Sequence, residues 1–504
     1  MQDTFSQTLL SIASQLDNPF DLAAFCYHYL TTKVPSQAAF IGAYIWINEN
    51  SRQNNPNIGK LHQFCMVVKG ILCEAHEAYT ERQKDLVRNV LKMEDRLEPF
   101  GESEWNQCTL PFFILMAIDE YVNQTGNERT ESGPLNQLYH DRIFVYTNTA
   151  NCMTDEVIDK TVIPSASLRN ELKHLIIIER KDIPAEIKTP PRIVKLALGK
   201  DDGERKRVLE GKVLKAAVIP FACRNMIEIK HDEGALFHIG YVPGHREWSV
   251  DRALTLLHKA LEEKANIIIF PEFVCGKAVQ EAIREELERL YWESPDKTAG
   301  LLLVIAGSRW DNGNNIADIL GYDGTLLGRQ YKYERYSDEK GEAGSLIENL
   351  KNPGKECTIV EIENLGSVMT GICRDIVAES YLARLTAIFK PQFLLVPAWS
   401  PSVYKGFKGQ MERITAKNFR TCSILCNCCE AYEKEIPDKR EIGLVVTPCK
   451  EKTIVKGKTE WILRNNCRED CECNPCIFIV NMRMEYLSEE ADGDYITVTT
   501  EQKL

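Results

Sequence analysis

The stretch GSVMTGICRDIVAES, residues 366–380, places a cysteine directly after an apolar run. Residues 368–372 predict a short buried strand, which ends at Cys373 and is followed by the charged residues Arg374 and Asp375. A thiol at the end of a buried strand is held rigidly while it faces a cleft, so Cys373 is a candidate nucleophile. The alternative is an inert thiol, which is the ordinary role of an isolated buried cysteine.

Further apolar runs follow one another from Lys212 onward. They include KAAVIPFA, NIIIFPEF, LLLVIAGS and QFLLVPAWS, with helical or turn segments between them. Their apolar residues are continuous rather than alternating, which is typical of strands that are covered on both faces. The segment WSVDRALTLLHKALEEKA, between the first two runs, has the pattern of an amphipathic helix. This order predicts a layered α/β domain over residues 212–485.

Two other strand ends supply groups that a cysteine nucleophile needs. Glu272 follows Pro271 directly after an apolar run, where burial makes a carboxylate a usable proton acceptor. Lys332 follows a turn at Asp323 and Gly324 and then a second strand, and an ammonium group beside a thiol stabilises negative charge. None of the nine histidines has a comparable strand-end context. Glutamate, lysine and cysteine together predict an acyl-transfer site without histidine.

These segments resemble, in the same order, the motifs of the nitrilase superfamily of carbon–nitrogen hydrolases. The chain has FPE at 270–272, YDGTLLGRQYK at 322–332 and GICRD at 371–375. FLLVPAWSPS and MERITAKNFRTCSILCN follow, similar to the family's segments after the nucleophile. The resemblance covers residues 213–485. It implies a four-layer αββα sandwich that forms a homodimer or a higher oligomer.

The resemblance also implies a role for each residue of the site. Cys373 attacks the carbonyl or nitrile carbon, Glu272 moves the protons, and Lys332 stabilises the oxyanion together with the backbone N–H of Arg374. Glu348, in the segment IENLKNPG, corresponds to a second glutamate that holds the lysine or the substrate in position. The family needs no metal and no organic cofactor.

Arg374 departs from the family, which usually has an aromatic residue at this position. An arginine here predicts a lowered pKa for Cys373, binding of an anionic substrate group, or a surface pair with Asp375. Two site residues also have ordinary structural interpretations. Glu272 can be a strand terminator that caps a helix, and Lys332 can belong to a solvated charged face.

The front half has a helical pattern and carries no recognisable chemical motif. We expect an all-helical domain of unknown role over residues 1–140, a connecting region over 141–211 and a partly ordered tail over 486–504. One apolar stripe of the first predicted helix consists of Phe5, Leu9, Ile12 and Leu16.

Composition limits the class of protein. The 504 residues are 44% hydrophobic and 27% charged, which is typical of a soluble protein of two or three domains. A net charge of −12 argues against a general nucleic-acid-binding protein. No apolar window approaches the ~20 residues that span a bilayer. The start MQDTFSQTLL lacks the features of a secretory signal, so we expect a cytoplasmic protein.

The 18 cysteines are scattered, and we interpret most of them as reduced thiols. Four are dense enough to be weak candidates for a zinc site, although reduced cysteines of a hairpin are the preferred interpretation: Cys467, Cys471, Cys473 and Cys476. Four others fall on or near one predicted strand and are expected in the core: Cys422, Cys426, Cys428 and Cys429. His62, Cys65, Cys73 and His76 are also expected to pack in a core, because Cys65 and Cys73 on one helix stand ~12 Å apart.

The leading hypothesis is therefore a cysteine-dependent hydrolase of a small amide or, less favoured, a nitrile, acting through a thioester. An acyltransferase, in which an amine replaces water, is a close variant. Another class of function is partner sensing, signalling or antiviral defence, in which the helical domain binds a protein and the nitrilase-like domain acts as effector. A third class is a scaffold that has the fold but no turnover. The presence of glutamate, lysine and cysteine at the predicted site argues against it.

Overall fold

The chain was studied as a computed structural model. The structure describes residues 5–12, 15–16, 18–33, 111–112, 114–119, 121–122, 133–147, 172, 174–199, 202–221, 226–242, 244–338, 346–377, 380–418, 421–429, 440–451, 454–465, 477–485 and 493–503. It has two compact units, one of residues 1–149 with 163–185 and one of 150–162 with 186–504. No helix in the described ranges is long and apolar enough to cross a membrane.

The first unit combines helices with a small sheet. Its elements are α1 (Phe5–Ile12), α2 (Pro19–Thr32), β1 (Ile143–Thr147) and β2 (Leu175–Glu179). The two strands pair antiparallel with each other. Both fall in the predicted connecting region, whose short apolar runs IFVYT and LIIIE are rich in residues that favour strands. In its described residues, the first unit thus contains both helices and strands rather than helices alone. It also extends beyond residues 1–140, the range predicted for the helical domain.

The helical stripe predicted at the start of the chain packs into the core of this unit. Phe5, Leu9 and Leu16 are at most 3% exposed, and Ile12 packs against them. Asn18 begins α2, because its side chain accepts hydrogen bonds from the first free backbone N–H groups of that helix. The described residues between 111 and 122 are also helical.

The second unit is built around two large mixed sheets. In spatial order, the strands of the first sheet are β10 (Leu326–Tyr331), β9 (Asn314–Gly321), β8 (Leu303–Asp311), β7 (Ile267–Ile269), β4 (Val213–Val218), β19 (Ile477–Met484) and β21 (Ile496–Lys503). Those of the second are β18 (Ile454–Asn465), β17 (Arg440–Glu451), β16 (Cys422–Asn427), β15 (Phe393–Ala398), β14 (Gly366–Thr370), β13 (Thr358–Ile362) and β3 (Arg192–Leu196), with β20 (Gly493–Asp494) paired to β17.

Helices cover the outer faces of these sheets, and α3 (Gly203–Glu210) leads into β4. On the first sheet, α4 (Arg246–Glu262) packs on β19 and α5 (Lys277–Glu293) packs on β8. On the second sheet, α7 (Val403–Asn418) packs on β16 and β17, with α6 (Tyr381–Phe389) beside it. The inner faces meet where β15 contacts β7 and β8. The order of layers is helix, sheet, sheet, helix, as predicted for an αββα sandwich.

The central strands are buried on both faces, which explains their continuous apolar sequences. Every residue of β7 and of β15 is buried. Within the first sheet, β4, β7 and β8 run parallel, and within the second sheet β14, β15 and β16 do. The carboxyl ends of such strands share one edge of their sheet, where the loops carry side chains with freedom to meet.

A third, four-stranded sheet stands outside the two large ones. Its strands in order are β11 (Ser337–Asp338), β12 (Leu346–Glu348), β6 (Leu236–Tyr241) and β5 (Ile227–His231). Along the chain, the hairpin of β5 and β6 lies between β4 and α4. Its strand β6 pairs parallel with β12. This hairpin has no counterpart among the predicted elements.

Two boundaries differ from those expected from the sequence. The predicted connecting region contains β3, which joins the second sheet as the parallel neighbour of β13. The predicted tail contains β21, which pairs with β19 over its full length. Along β21, Ile496 and Val498 are buried while Thr497 and Thr499 are exposed, which is the alternation of a half-buried edge strand. Because β21 is rich in polar residues, its sequence did not indicate a strand, although its partner β19 lies nearby along the chain.

Candidate active site

Glu272 is held in a tight turn directly after β7. The backbone N–H of Ser308 donates to the carbonyl oxygen of Pro271 at 3.0 Å, and that of Phe273 donates to Ser308 Oγ at 3.1 Å. Gly307 has a φ of +66°, and a Cβ atom there would lie 2.5 Å from the Pro271 oxygen. Glycine is therefore required beside this turn. The Glu272 side chain is fully buried.

Lys332 follows β10 and enters the same space from another strand end. Its backbone N–H donates to the carbonyl oxygen of Asn315 at 2.9 Å, and its own carbonyl accepts from Gly354 at 3.1 Å. Its Nζ atom lies 2.8 Å from Glu272 Oε1 and 2.7 Å from Glu348 Oε2. All three side chains are at most 1% exposed. The ammonium group is thus shared by two buried carboxylates.

Glu348 ends β12 in the third sheet and is fully buried. Its Oε2 atom accepts a hydrogen bond from the backbone N–H of Tyr336 at 3.0 Å. Its Oε1 atom accepts from Asn315 Nδ2 at 3.2 Å, and the same Nδ2 donates to Glu272 Oε1 at 2.8 Å. Asn315 therefore bridges the two carboxylates. It was not predicted from the sequence, where the only signal is a polar residue near the start of an apolar strand.

Cys373 follows β14 and begins a short 3₁₀ helix, Cys373–Ile376. Its φ is +49°, a left-handed conformation that is unfavourable for a residue with a side chain. Strained residues of this kind concentrate at functional sites. The residue is 6% exposed, and its thiol lies close enough to the Glu272 carboxylate and to the backbone of Trp399 for both to act on its pKa. The Trp399 N–H also donates to Glu272 Oε2 at 2.9 Å.

The surroundings raise the pKa values of Cys373, Glu272 and Lys332. Burial, and then the charge of Glu272, raise the pKa of the Cys373 thiol well above its ordinary value. Burial also raises the pKa of Glu272, a rise that Lys332 opposes and Glu348 reinforces. Burial acts to lower the pKa of Lys332, but the two carboxylates outweigh it and hold that pKa high. The resting site therefore has a protonated thiol beside a basic carboxylate and a charged ammonium group.

Asp375 joins the cysteine loop to the lysine segment. Its carboxylate accepts hydrogen bonds from the backbone N–H groups of Tyr333 and Glu334, each at 2.8 Å, and of Ile372 at 3.0 Å. Burial raises its pKa to about 7, against the effect of these hydrogen bonds. We call this set of hydrogen bonds the backbone clamp. It fixes Tyr333, which follows Lys332, relative to Ile372, which precedes Cys373.

Arg374 turns away from these groups. Its Nη1 atom donates to the carbonyl oxygen of Ser337 at 3.0 Å, and its charge lowers the pKa of Glu334, which burial raises. Because Asp375 accepts from the backbone, the predicted surface pair of Arg374 with Asp375 is replaced by this backbone clamp. Burial and the charge of Glu272 raise the pKa of the Cys373 thiol, so the lowered pKa predicted from Arg374 is wrong.

The structure brings Glu272, Lys332, Glu348 and Cys373 together from four separate strand ends. The cysteines at 422, 426, 428 and 429 are buried, as predicted for the core. The zinc candidates Cys467, Cys471, Cys473 and Cys476 and the set His62, Cys65, Cys73 and His76 lie outside the described residues. Within the described residues, no group of three or more His, Cys, Asp or Glu side chains is arranged to hold a metal ion.

No protein-family model matches the chain, and no curated protein matches it. Among solved structures it is similar to Nit3 of Saccharomyces cerevisiae, a member of branch 10 of the nitrilase superfamily, with 16% identity over 43% of this chain and 76% of that one and a TM-score of 0.29. It is similar to an amidase from Nesterenkonia sp., with 14% identity over 55% of this chain and 92% of that one and a TM-score of 0.35.

A mutant of the Nesterenkonia AN1 amidase from the nitrilase superfamily is also similar, with 14% identity over 43% of this chain and 77% of that one and a TM-score of 0.31. These similarities concern the fold of about half of the chain. The ordered motifs of this chain, taken by themselves, resemble those of the nitrilase superfamily.

Proposed function

We propose that this protein is a cysteine-dependent hydrolase of a carbon–nitrogen bond, with an amide rather than a nitrile as its substrate. One observation carries the proposal: the Glu272 carboxylate pairs at 2.8 Å with the ammonium group of Lys332 and lies close enough to the Cys373 thiol to act on its pKa. A base, a nucleophile and a cation within one buried cluster are the parts that acyl transfer requires.

The first half of the reaction forms a thioester. Glu272 takes the proton of Cys373 as the sulfur attacks the amide carbon, and the carbonyl oxygen becomes an oxyanion. Lys332 and the backbone N–H of Arg374 stabilise that negative charge, an effect typically worth 10²–10³-fold in rate for one donor. Glu272 then passes its proton to the nitrogen. The carbon–nitrogen bond breaks and the amine leaves.

The second half releases the acid product. Glu272, again a carboxylate, takes a proton from water while the water oxygen attacks the thioester carbon. The carbon–sulfur bond breaks, and the sulfur regains the proton from Glu272. Because Glu348 shares the ammonium group, Lys332 stays charged and in place while Glu272 changes its protonation state.

We propose an amide rather than a nitrile because the family that the sequence motifs resemble mostly cleaves amides, and an amide nitrogen must receive a proton as it leaves. Glu272 holds a proton at that moment, directly beside the sulfur. Burial raises the pKa of Glu272, which makes its carboxylate a better proton acceptor than an exposed one.

Intact-mass measurement of the full chain, quenched with acid after incubation with a panel of amides, tests the proposal. We expect the mass of one acyl group to be added to the native protein and to Cys449→Ala, but not to Cys373→Ala. Cys449 is a matched control, because it is the more exposed of the two thiols and lies far along the chain. Equal acylation of Cys373→Ala would overturn the proposal.

A thiol-directed electrophile provides a second test that needs no knowledge of the substrate. Cys373 is expected to react faster than Cys449, although Cys373 is buried, because Glu272 removes its proton during attack. Peptide mapping of the labelled sites over time measures both rates. A Cys373 rate equal to or below that of Cys449 contradicts an active nucleophile.

A further inference from the structure

Five aromatic residues form a cluster beside the candidate active site, which we name the aromatic wall: Phe237, Phe273, Trp310, Tyr336 and Trp399. Phe237 and Phe273 are buried, and the other three pack against them while partly exposed. The Phe273 ring centroid lies 6.4 Å from that of Trp310 and 6.3 Å from that of Trp399. These are separations at which aromatic rings attract one another.

The aromatic wall is attached directly to the reacting groups. The backbone N–H of Trp399 donates to Glu272 Oε2 at 2.9 Å, and that of Tyr336 donates to Glu348 Oε2 at 3.0 Å. The Phe273 ring centroid lies 5.4 Å from Lys332 Nζ. A molecule whose scissile bond reaches Cys373 must therefore lie beside these rings.

The third sheet builds one side of this wall. Phe237 lies on β6, whose neighbour β12 carries Glu348, and its ring meets that of Tyr336 at 6.3 Å. Tyr241, also on β6, donates a hydrogen bond to the carbonyl oxygen of Phe273 at 2.9 Å and accepts one from the backbone N–H of Trp310 at 2.8 Å. These contacts hold the rings of the wall at fixed positions relative to the catalytic carboxylates.

The wall also contains a polar group without a partner. Among the described residues, the Nε1 atom of Trp399 is buried and has no hydrogen-bond acceptor. A buried donor that is left unpaired is costly, and an acceptor on a bound molecule would remove that cost. This unpaired donor on a ring of the wall is a second observation, beside the ring packing, in favour of a ligand at the wall.

The charge of the site limits which molecule fits. Two carboxylates, Glu272 and Glu348, face a single ammonium group, and the raised pKa of Cys373 keeps the thiol neutral. An anionic substrate group would add negative charge to a buried site that already carries an excess of it. Arg374, which follows Cys373 directly along the chain, is the cation that was predicted to bind an anionic substrate group. Its guanidinium group instead donates a hydrogen bond to the carbonyl oxygen of Ser337.

We propose that the substrate carries a flat, uncharged aromatic group next to the scissile carbon–nitrogen bond, which packs on the aromatic wall and offers an acceptor to Trp399 Nε1. This inference rests on the proposed amide hydrolysis and specifies its substrate class. The aromatic group can belong to the acyl part or to the amine part of the amide, and the experiment separates these sources.

The test compares kcat/KM of the full chain for four amides: phenylacetamide, acetanilide, acetamide and succinamate. We expect phenylacetamide or acetanilide to exceed acetamide by about 10-fold or more, since one ring is removed from water, and succinamate to be the poorest. Preference for phenylacetamide assigns the ring to the acyl part, and preference for acetanilide assigns it to the amine part. Acetamide or succinamate equal to or better than both aromatic amides overturns the inference.

Variants of the aromatic wall test whether the aromatic group of the substrate binds there. Trp310→Ala and, as a second variant, Tyr336→Ala are expected to lower the ratio of aromatic to acetamide kcat/KM by about 10-fold, because both side chains are partly exposed members of the wall. Trp292→Ala, which removes a tryptophan that is 77% exposed on α5, should leave the ratio unchanged. If the ratio of aromatic to acetamide kcat/KM is the same in the native protein and in all three variants, the aromatic wall does not bind the substrate.

Failure of the substrate class and failure of the proposed function give different results. If Cys373 is acylated by acetamide as readily as by the aromatic amides, the enzyme assignment holds and the aromatic substrate is wrong. If no amide acylates Cys373 and Cys373 reacts no faster than Cys449 with the electrophile, the proposed hydrolase itself fails.

Discussion

Lys332 and Glu272 form an ion pair that is closed to solvent, with Nζ 2.8 Å from Oε1 and each side chain 1% exposed. The two residues are 60 positions apart along the chain and lie at the ends of different strands. A charge pair in such a place is stable only if its remaining hydrogen bonds are satisfied. Asn315, Glu348 and the backbone of Trp399 provide those partners.

Replacing Lys332 by methionine is expected to lower both stability and rate. The change leaves two buried carboxylates without their cation, which typically costs about 3–5 kcal/mol of unfolding free energy. It also removes an oxyanion donor, so kcat should fall by about 10²–10³-fold. Urea unfolding and amide hydrolysis measure the two effects. Lys277→Met, which breaks an exposed pair with Glu281, should change stability by less than about 1 kcal/mol.

The rate of hydrolysis should depend on a carboxylate with a raised pKa. Burial raises the pKa of Glu272, so the acidic limb of the kcat/KM profile should have its midpoint above 4.5, the ordinary glutamate value. Below this midpoint Glu272 is protonated and cannot accept the thiol proton. Rates of amide hydrolysis between pH 4 and pH 9 measure the profile.

Glu272→Gln supplies the matching variant, because glutamine preserves the size of the side chain but is not a base. We expect kcat to fall by about 10²–10⁴-fold and the acidic limb to disappear. Glu285→Gln, on the exposed side of α5, is the control and should keep both the rate and the limb. A full rate in Glu272→Gln means that another group accepts the proton.

Asn315→Asp should destabilise the protein because it adds a third carboxyl group to a buried pair. Asn315 Nδ2 donates to Glu272 at 2.8 Å and to Glu348 at 3.2 Å, and an aspartate must take up a proton to replace either bond. We expect a loss of about 2–4 kcal/mol at pH 8 that becomes smaller at pH 5. The same substitution at the preceding, partly exposed Asn314 is the control, and chemical denaturation at both pH values measures the difference.

Asp375 should make stability fall as the pH rises. Its pKa is raised to about 7 in the folded protein, against 3.8 ordinarily, so between these values the folded state binds more protons than the unfolded state. Its contribution is fully present below pH 3.8 and is lost as the pH rises to about 7, by at most about 4 kcal/mol.

Unfolding free energies at pH 5 and pH 7.5 test this dependence. Asp375→Asn cannot titrate, so its stability should decline less than that of the native protein over this range. Asp251→Asn, at an exposed position of α4, should decline as the native protein does. If Asp375→Asn and the native protein lose the same free energy, Asp375 is not the titrating group.

Local sequence patterns determined the layers of the second unit and the identity of its chemical groups. Continuous apolar runs predicted buried strands, because a strand covered on both faces has no polar side. Glu272 and Cys373 were recognisable because each comes just after such a run, and Lys332 because it follows the turn at Asp323 and Gly324 and then a predicted strand. A strand end is where a rigid backbone gives a side chain access to a cleft. The left-handed φ of Cys373 agrees with a specialised turn, although no sequence pattern gave it.

Only the tertiary structure decided which groups touch. Asn315 lies near the start of β9 and Asp375 beside a thiol, and nothing in their neighbours along the chain indicates that one bridges two carboxylates and the other clamps the backbone after Lys332. The strands β3 and β21 escaped prediction for the same reason. Their sequences are short or polar, and they become strands by pairing with β13 and β19. Whether two segments pair, be they distant like β3 and β13 or near along the chain like β19 and β21, depends on how the chain is folded, and local composition carries no information about that.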